Sequence, residues 1–340
     1  MFEELKRQLN WFFSSQQNEV ETDQNPKLPI ESETNPSKSK NLSGYPKTYL
    51  AFEKEEQSGE QLEVFDPALK HFPRAFRLSD PKFQDLEINR KWHETRIKVM
   101  DHLLSLICAS SWKNQLVLRG SLLLKAWLGD AAREPGDIDW VFVPPNIDIN
   151  NPVAQKLFDE LIKLASNSPN LGNTRIDVAK ITTDDIWTYE RAAGRRIIFP
   201  WESDGLLQGV VQMDVVFSEE MLTTPIEIRL PLPGNHSVLA VSKELSLAWK
   251  LLWLENDSFP QGKDLYDATL LAEQTLLPRT LLQQVFQLNE DNSKAILNSN
   301  FPLEWNVDWE NFRLEYPWVE GTAMDWQHRL ALALAPTFSG

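Results

Sequence analysis

Cysteine is nearly absent: Cys108 is the single one in 340 residues. No disulfide can therefore form within the chain, and Cys108 is expected to pack as a small buried hydrophobe. Histidine is scarce as well, five in all, and none pair at zinc-ligand spacing, which argues against a zinc site. No apolar run reaches the roughly 18 residues that a membrane-spanning helix needs. Met1 to Phe13 is too acidic and too poor in continuous apolar residues for a secretory signal. The expectation is a cytoplasmic chain with no membrane partner. Basic residues are outnumbered, 34 Lys and Arg against 49 Asp and Glu, for a net charge of -15. That balance excludes a coat protein that binds nucleic acid by general phosphate neutralisation. It leaves room for a local basic cleft, because field follows arrangement rather than totals.

What is present suffices for a large core, with 42% hydrophobic and 10% aromatic residues. Residues 1–63 read as an acidic tail: a short amphipathic helix ending in Trp11, Phe12 and Phe13, then a Ser-, Asn- and Pro-rich stretch with almost nothing to bury. From there the pattern alternates. Lys91 to Ala109 has helical periodicity, with Trp92, Ile97, Met100, Leu103, Leu104 and Ile107 on one face. "NQLVLRG" reads as a strand, "SLLLKAWLGD" as a helix, "GDIDWVFVPP" as a strand stopped by the double proline, and "PVAQKLFDELIKLAS" as a helix. "TRIDVAKITT" reads as one strand; "RRIIFPW" and "LQGVVQMDVVF" read as two more joined at "ESDG"; "EIRLPLPG" reads as irregular. From Ser242 the chain turns helical, through "SKELSLAWKLLWLEND", "GKDLYDATLLAEQTLL", "RTLLQQVFQL" and "AMDWQHRLALALA". The expected architecture is an α/β domain with a mixed sheet over 64–236, followed by a helical domain over 237–340.

The chemistry concentrates in "LRGSLLLKAWLGDAAREPGDIDWVF". Gly120 permits close approach of a ligand to the backbone, and Ser121 opens a helix whose free N–H groups favour an anion such as a triphosphate. After a spacer of fifteen residues, Asp137 and Asp139 stand at i and i+2 of a strand. They share one face, about 7 Å apart along the backbone. Two unpaired carboxylates in a pocket push one pKa up. Magnesium relieves that conflict, and it prefers carboxylates together with substrate phosphates. A third acid, Asp214, interrupts the apolar strand "VVQMDVVF", where a charge requires a partner or a metal. Three carboxylates on adjacent strands suit two ions held roughly 3.5–4 Å apart, the arrangement for nucleotidyl transfer.

Gly120-Ser121, Asp137-Ile138-Asp139 and Asp214 together resemble the polymerase-β-type nucleotidyltransferase signature. Within that superfamily the chain is most similar to the AbiEii/AbiGii toxin family of abortive-infection and toxin–antitoxin systems. "LAWKLLWLEN" and "GKDLYDATLL" extend the likeness to that family's Lys-bearing helix and its Arg-Asp-x-x-Asp helix start, with Lys263 where Arg is usual. The resemblance spans about Leu116 to Ala272. It implies a polymerase-β-like fold and a nucleoside triphosphate (NTP) substrate with its phosphates on Gly120 and Ser121. It also implies two Mg2+ ions on Asp137, Asp139 and Asp214, with Asp214 helping to deprotonate the attacking hydroxyl. Lys250 would touch phosphate, and Asp264 and Asp267 would line the helical side of the cleft. The implied acceptor is an RNA or protein hydroxyl, with the end of tRNA first, and the implied partner is a cognate antitoxin.

Each residue also has a plainer reading. Gly120-Ser121 also fits a tight turn and helix cap, and Asp137 also fits a turn stabiliser after Pro135-Gly136. Asp214 also fits a structural acid paired with Arg195 or Arg196, and Lys250 a surface lysine with a buried stem. Asp264 and Asp267 also fit helix capping. Arg133, Arg191, Arg195 and Arg196 are candidate phosphate or acceptor contacts, and "RAAGRR" is the candidate RNA-binding face. Most of the thirteen tryptophans, Trp140 among them, are expected in the core rather than stacked on bases. Two other functions fit the same residues: nucleotide transfer to a protein side chain, and a non-catalytic nucleotide-binding module acting through the N-terminal tail.

Overall fold

The computed structural model describes residues 60–66, 76–188, 192–288 and 297–339. Residues 1–59, with the expected N-terminal helix, and Arg191 lie outside them. The described residues fall in one compact unit. The end of the expected tail is ordered: Glu60 bridges Lys82, and a two-stranded ribbon pairs β1 (Glu63–Phe65) with β2 (Phe76–Leu78).

Helix α1 (Leu86–Ala109) starts five residues before the periodicity suggested, because Asp85 caps it by accepting from the N–H groups of Glu87 and Ile88. Its buried face carries Trp92, Val99, Met100, Leu103, Leu104 and Ile107, with Arg96 among them and Ile97 partly buried beside them. Arg96 is tolerated there because it pairs with Asp80 at 2.7 Å and lies over the Trp92 ring.

Nine strands among the described residues form one mixed sheet: β3 (Leu116–Arg119), β4 (Asp137–Phe142), β5 (Asn170–Leu171), β6 (Thr174–Ile176), β7 (Thr182–Thr188), β8 (Ala192–Ser203), β9 (Gly209–Val216), β10 (Ile226–Arg229) and β11 (Ser237–Ala240). Their order is β10-β11-β3-β4-β9-β8-β6-β5, with β7 added along β8. β4 is parallel to β9 and antiparallel to β3, so the Asp-x-Asp strand is central. Two departures from expectation have local causes. "TRIDVAKITT" is two strands, broken where the Asp177 carboxylate accepts from Ala179 N and starts a short 3-10 turn. "EIRLPLPG" contains β10, which turns back as a hairpin onto β11. β11 then adds in parallel to β3, so the sheet extends past residue 236, ahead of the helices that follow Ser242.

One face of the sheet carries Ile138, Trp140, Phe199 and Trp201, all buried. Helix α2 (Ser121–Leu128) links β3 to β4. Helix α3 (Pro152–Asn167) brings Phe158 to 5.9 Å from Phe217, and Trp92 of α1 meets Trp201 at 5.5 Å. The C-terminal helices are α4 (Lys243–Asn256), α5 (Gly262–Ala272), α6 (Arg279–Gln287), α7 (Trp309–Glu315) and α8 (Ala323–Phe338). Ser242 caps α4 through Leu245 N, and a Thr322–Asp325 capping box starts α8. Tyr266, Trp309 and Trp326 form their aromatic centre, with ring separations of 4.8 and 5.7 Å. Truncating any one of these rings costs about 3–5 kcal/mol. Trp140 is core as expected, while Trp318 is 57% exposed.

Candidate active site

The site begins at a backbone bend. Gly120 has φ +80°, a conformation that favours glycine. A Cβ built on it would lie 2.0 Å from Asp139 Oδ2. Absence of a side chain therefore lets the Asp139 carboxylate rest directly over the bend. The next residue ties the two motifs together: Ser121 Oγ donates to Asp137 Oδ1 at 2.9 Å. Helix α2 is left with no side-chain cap, as glycine offers none.

Ladder partners share a face of the sheet, and the register sets four charged residues side by side. Arg119 faces Asp139, Asp139 faces Asp214, and Asp214 faces Arg196, across β3, β4, β9 and β8. The row reads plus, minus, minus, plus. Its two ends behave differently. Arg196 donates from Nε and a terminal nitrogen to both oxygens of Asp214, each at 2.8 Å, and Gln212 donates to Asp214 as well at 3.2 Å. Asp139, by contrast, makes no hydrogen bond or ion pair with the described residues. Burial, Asp137 and Asp214 push its carboxyl well above the usual carboxylate range, and only Arg119 and Lys263 pull it back.

The three acids expected from sequence lie on the adjacent strands β4 and β9, with different partners. Asp214 stands beside Asp139 as anticipated, but its oxygens are committed to Arg196, the structural pairing weighed as the alternative. Among the described residues no group of three or more His, Cys, Asp or Glu side chains is arranged to hold a metal ion. What fits a hard cation is the pair Asp137 and Asp139: Asp139 lacks a positive partner, and Asp137 uses one oxygen on Ser121.

The helical side is also closed by pairing. Lys250, 5% exposed, bonds Asp264 at 2.9 Å and Asp267 at 3.0 Å. Arg133 grips Asp267 with two bonds of 3.0 and 2.7 Å and reaches the Tyr316 hydroxyl. Burial works against the Lys250 ammonium, but Asp264 and Asp267 outweigh it and raise its pKa. Burial likewise works against the Asp267 carboxylate, and Arg133 and Lys250 hold it below the usual range. Lys250 is thus neither a surface lysine nor free for phosphate in this arrangement. Asp264 is no helix cap, since Gln261 occupies that position. Arg133 is structural. Arg195 is taken by Asp185 at 2.6 Å, so Arg195 and Arg196 do not form the free basic face expected from "RAAGRR". Cys108 is half-buried against Ser237 O, and burial pushes its thiol up.

Residues 102–330 match the AbiEii nucleotidyltransferase toxin family of type IV toxin–antitoxin systems, about two thirds of the chain. The protein is a nucleotidyltransferase and belongs to that family. Membership implies an NTP substrate and an antitoxin partner. A crystal structure of a candidate nucleotidyltransferase from H. pylori aligns over 74% of this chain and 94% of its own, at 12% identity and a TM-score of 0.44. No curated protein sequence matches. Among the described residues no helix is long and apolar enough to cross a membrane.

Proposed function

We propose that the enzyme acts in the cytoplasm and transfers a nucleoside monophosphate from an NTP to an acceptor hydroxyl, with Mg2+ held by Asp137 and Asp139. The observation that supports this is the Asp139 carboxylate, which bonds to none of the described residues and lies against a glycine bend at a helix start. Phosphates brought to Gly120 and Ser121 would meet two acids, and a divalent ion between them offsets both charges. The acceptor hydroxyl oxygen attacks the α-phosphorus and releases its proton to solvent, the bond between the α-phosphorus and the bridging oxygen breaks, and pyrophosphate departs with the electron pair. Asp214, neutralised by Arg196, shapes the field at Asp139 rather than binding a second ion. Lys250, Asp264 and Asp267 act as positioning residues that fix α4 and α5 against the loop before β4.

The tRNA end is the acceptor to test first. A protein hydroxyl is the second reading, favoured by the ion pairing of Arg195 and Arg196, which leaves the expected RNA face without two of its charges. Purified protein is incubated with each labelled NTP, Mg2+ and either total tRNA or a partner protein. Transfer is expected to one class and to fall by orders of magnitude in Asp137→Ala and Asp139→Ala. Label transfer that survives both substitutions removes the proposal.

A further inference from the structure

We propose that Arg119 is a polyphosphate-binding residue, held by Trp249 and Trp253 so that its guanidinium grips the departing pyrophosphate. The inference rests on the NTP reading above and adds to it a residue that the motifs did not contain. Arg119 ends β3, immediately before Gly120, and is 4% exposed. Its guanidinium carbon lies 5.8 Å from the Trp249 ring and 5.3 Å from the Trp253 ring, both on α4. Among the described residues its guanidinium forms no hydrogen bond and no ion pair. Every other buried arginine among the described residues has a carboxylate: Arg96 has Asp80, Arg133 has Asp267, and Arg196 has Asp214.

None of the Arg119 nitrogens is among the fully buried polar atoms without a partner, so its five N–H donors meet no protein acceptor yet remain within reach of a ligand. Aromatic faces stabilise its charge but satisfy none of those donors. The cross-strand acid, Asp139, is close enough to feel it electrostatically yet is not bonded to it. The acceptor missing from the protein is the one a ligand would bring. Three features beside Arg119 specify an anion: the uncapped start of α2, the glycine bend, and Lys263, which also acts on Asp139 and has no bonded partner among the described residues. Planar stacking favours arginine over lysine, and its fork matches two phosphate oxygens at once. During transfer Arg119 donates hydrogen bonds and loses no proton. The charge that accumulates on pyrophosphate as the phosphorus–oxygen bond breaks is met by a cation already in place.

The probe is inorganic tripolyphosphate with Mg2+, titrated calorimetrically into the full chain, together with the four NTPs. Arg119→Gln is expected to weaken tripolyphosphate at least tenfold and Arg119→Lys at least fivefold, with melting temperatures close to wild type. Arg329→Gln, remote on α8, is the control and should bind as wild type. In the transfer assay the pH profile should keep its shape while kcat falls in Arg119→Gln. Binding within twofold of wild type by folded Arg119→Gln overturns this inference and leaves the nucleotidyltransferase reading standing. A wild-type chain that binds neither tripolyphosphate nor any NTP overturns both. Should Arg119→Gln not fold, Trp253→Leu carries the test: it keeps the guanidinium but removes one wall. Tenfold weaker binding there supports the inference, and unchanged binding refutes it.

Discussion

Asp139→Asn separates what this site does for stability from what it does for function. In the cation-free protein the Asp139 carboxylate is desolvated, flanked by Asp137 and Asp214, and bonded to nothing among the described residues. An uncompensated buried polar or charged group costs on the order of 1–3 kcal/mol. Asparagine keeps the shape and removes the charge, so it should recover much of that. At roughly 2–4 °C per kcal/mol for a domain of this size, the variant should melt a few degrees above wild type at pH 7 in chelator. The pH dependence has a definite sign. A native carboxyl raised above the ordinary value of 3.8 lowers stability as pH climbs from 3.8 through the native value. The asparagine advantage should therefore grow as pH rises above 3.8 and fade towards pH 4. Adding Mg2+ should reverse the order: a ligand at a hundred times its Kd stabilises by about 2.7 kcal/mol, and only wild type should receive it. Calorimetric melts at several pH values, with and without Mg2+, read all of this. A variant that melts below wild type in chelator, or an equal gain from Mg2+ in both, refutes the reasoning.

Three further outcomes follow from the same geometry. Lys250→Met removes the buried cation that Asp264 and Asp267 share, leaving Asp267 on Arg133, and should cost about 3 kcal/mol in a urea titration; a wild-type midpoint would contradict the positioning role. Manganese counted by electron paramagnetic resonance should give one ion per chain, rising to two in Arg196→Gln, where Asp214 is released; two ions in wild type would refute the neutralised third acid. Gly120→Ala places a methyl 2.0 Å from Asp139 Oδ2 at φ +80°, which should cost about 1–3 kcal/mol and weaken manganese at least tenfold; unchanged affinity would show that Asp139 does not depend on the bend.

Much of this is legible in local sequence pattern. The i, i+2 spacing put Asp137 and Asp139 on one face, and the apolar strand around Asp214 marked it as an acid that needs a partner. What the pattern could not supply was the choice of partner. Arg133 and Asp267 are 134 positions apart, and no periodicity links them. Asp264 in the first turn of its helix looked like a cap because the lysine that holds it sits on another helix. Arg196 was visible as one of two neighbours, and only the strand register selected it over Arg195. Arg119 did leave a trace, a lone base in the apolar "LVLRGS", but its meaning depends on two tryptophans arriving from α4. The β10–β11 hairpin was missed because "LPLPG" between them reads as a stop.

The parallel pairing of β11 with β3 has a practical corollary for anyone dissecting the chain. A fragment ending at residue 236 would expose the flank of the very strand that leads into Gly120, and it would strip Arg133 of both Asp267 and Tyr316. Sheet and helices should consequently melt as a single transition, and the two halves should regain order only when mixed.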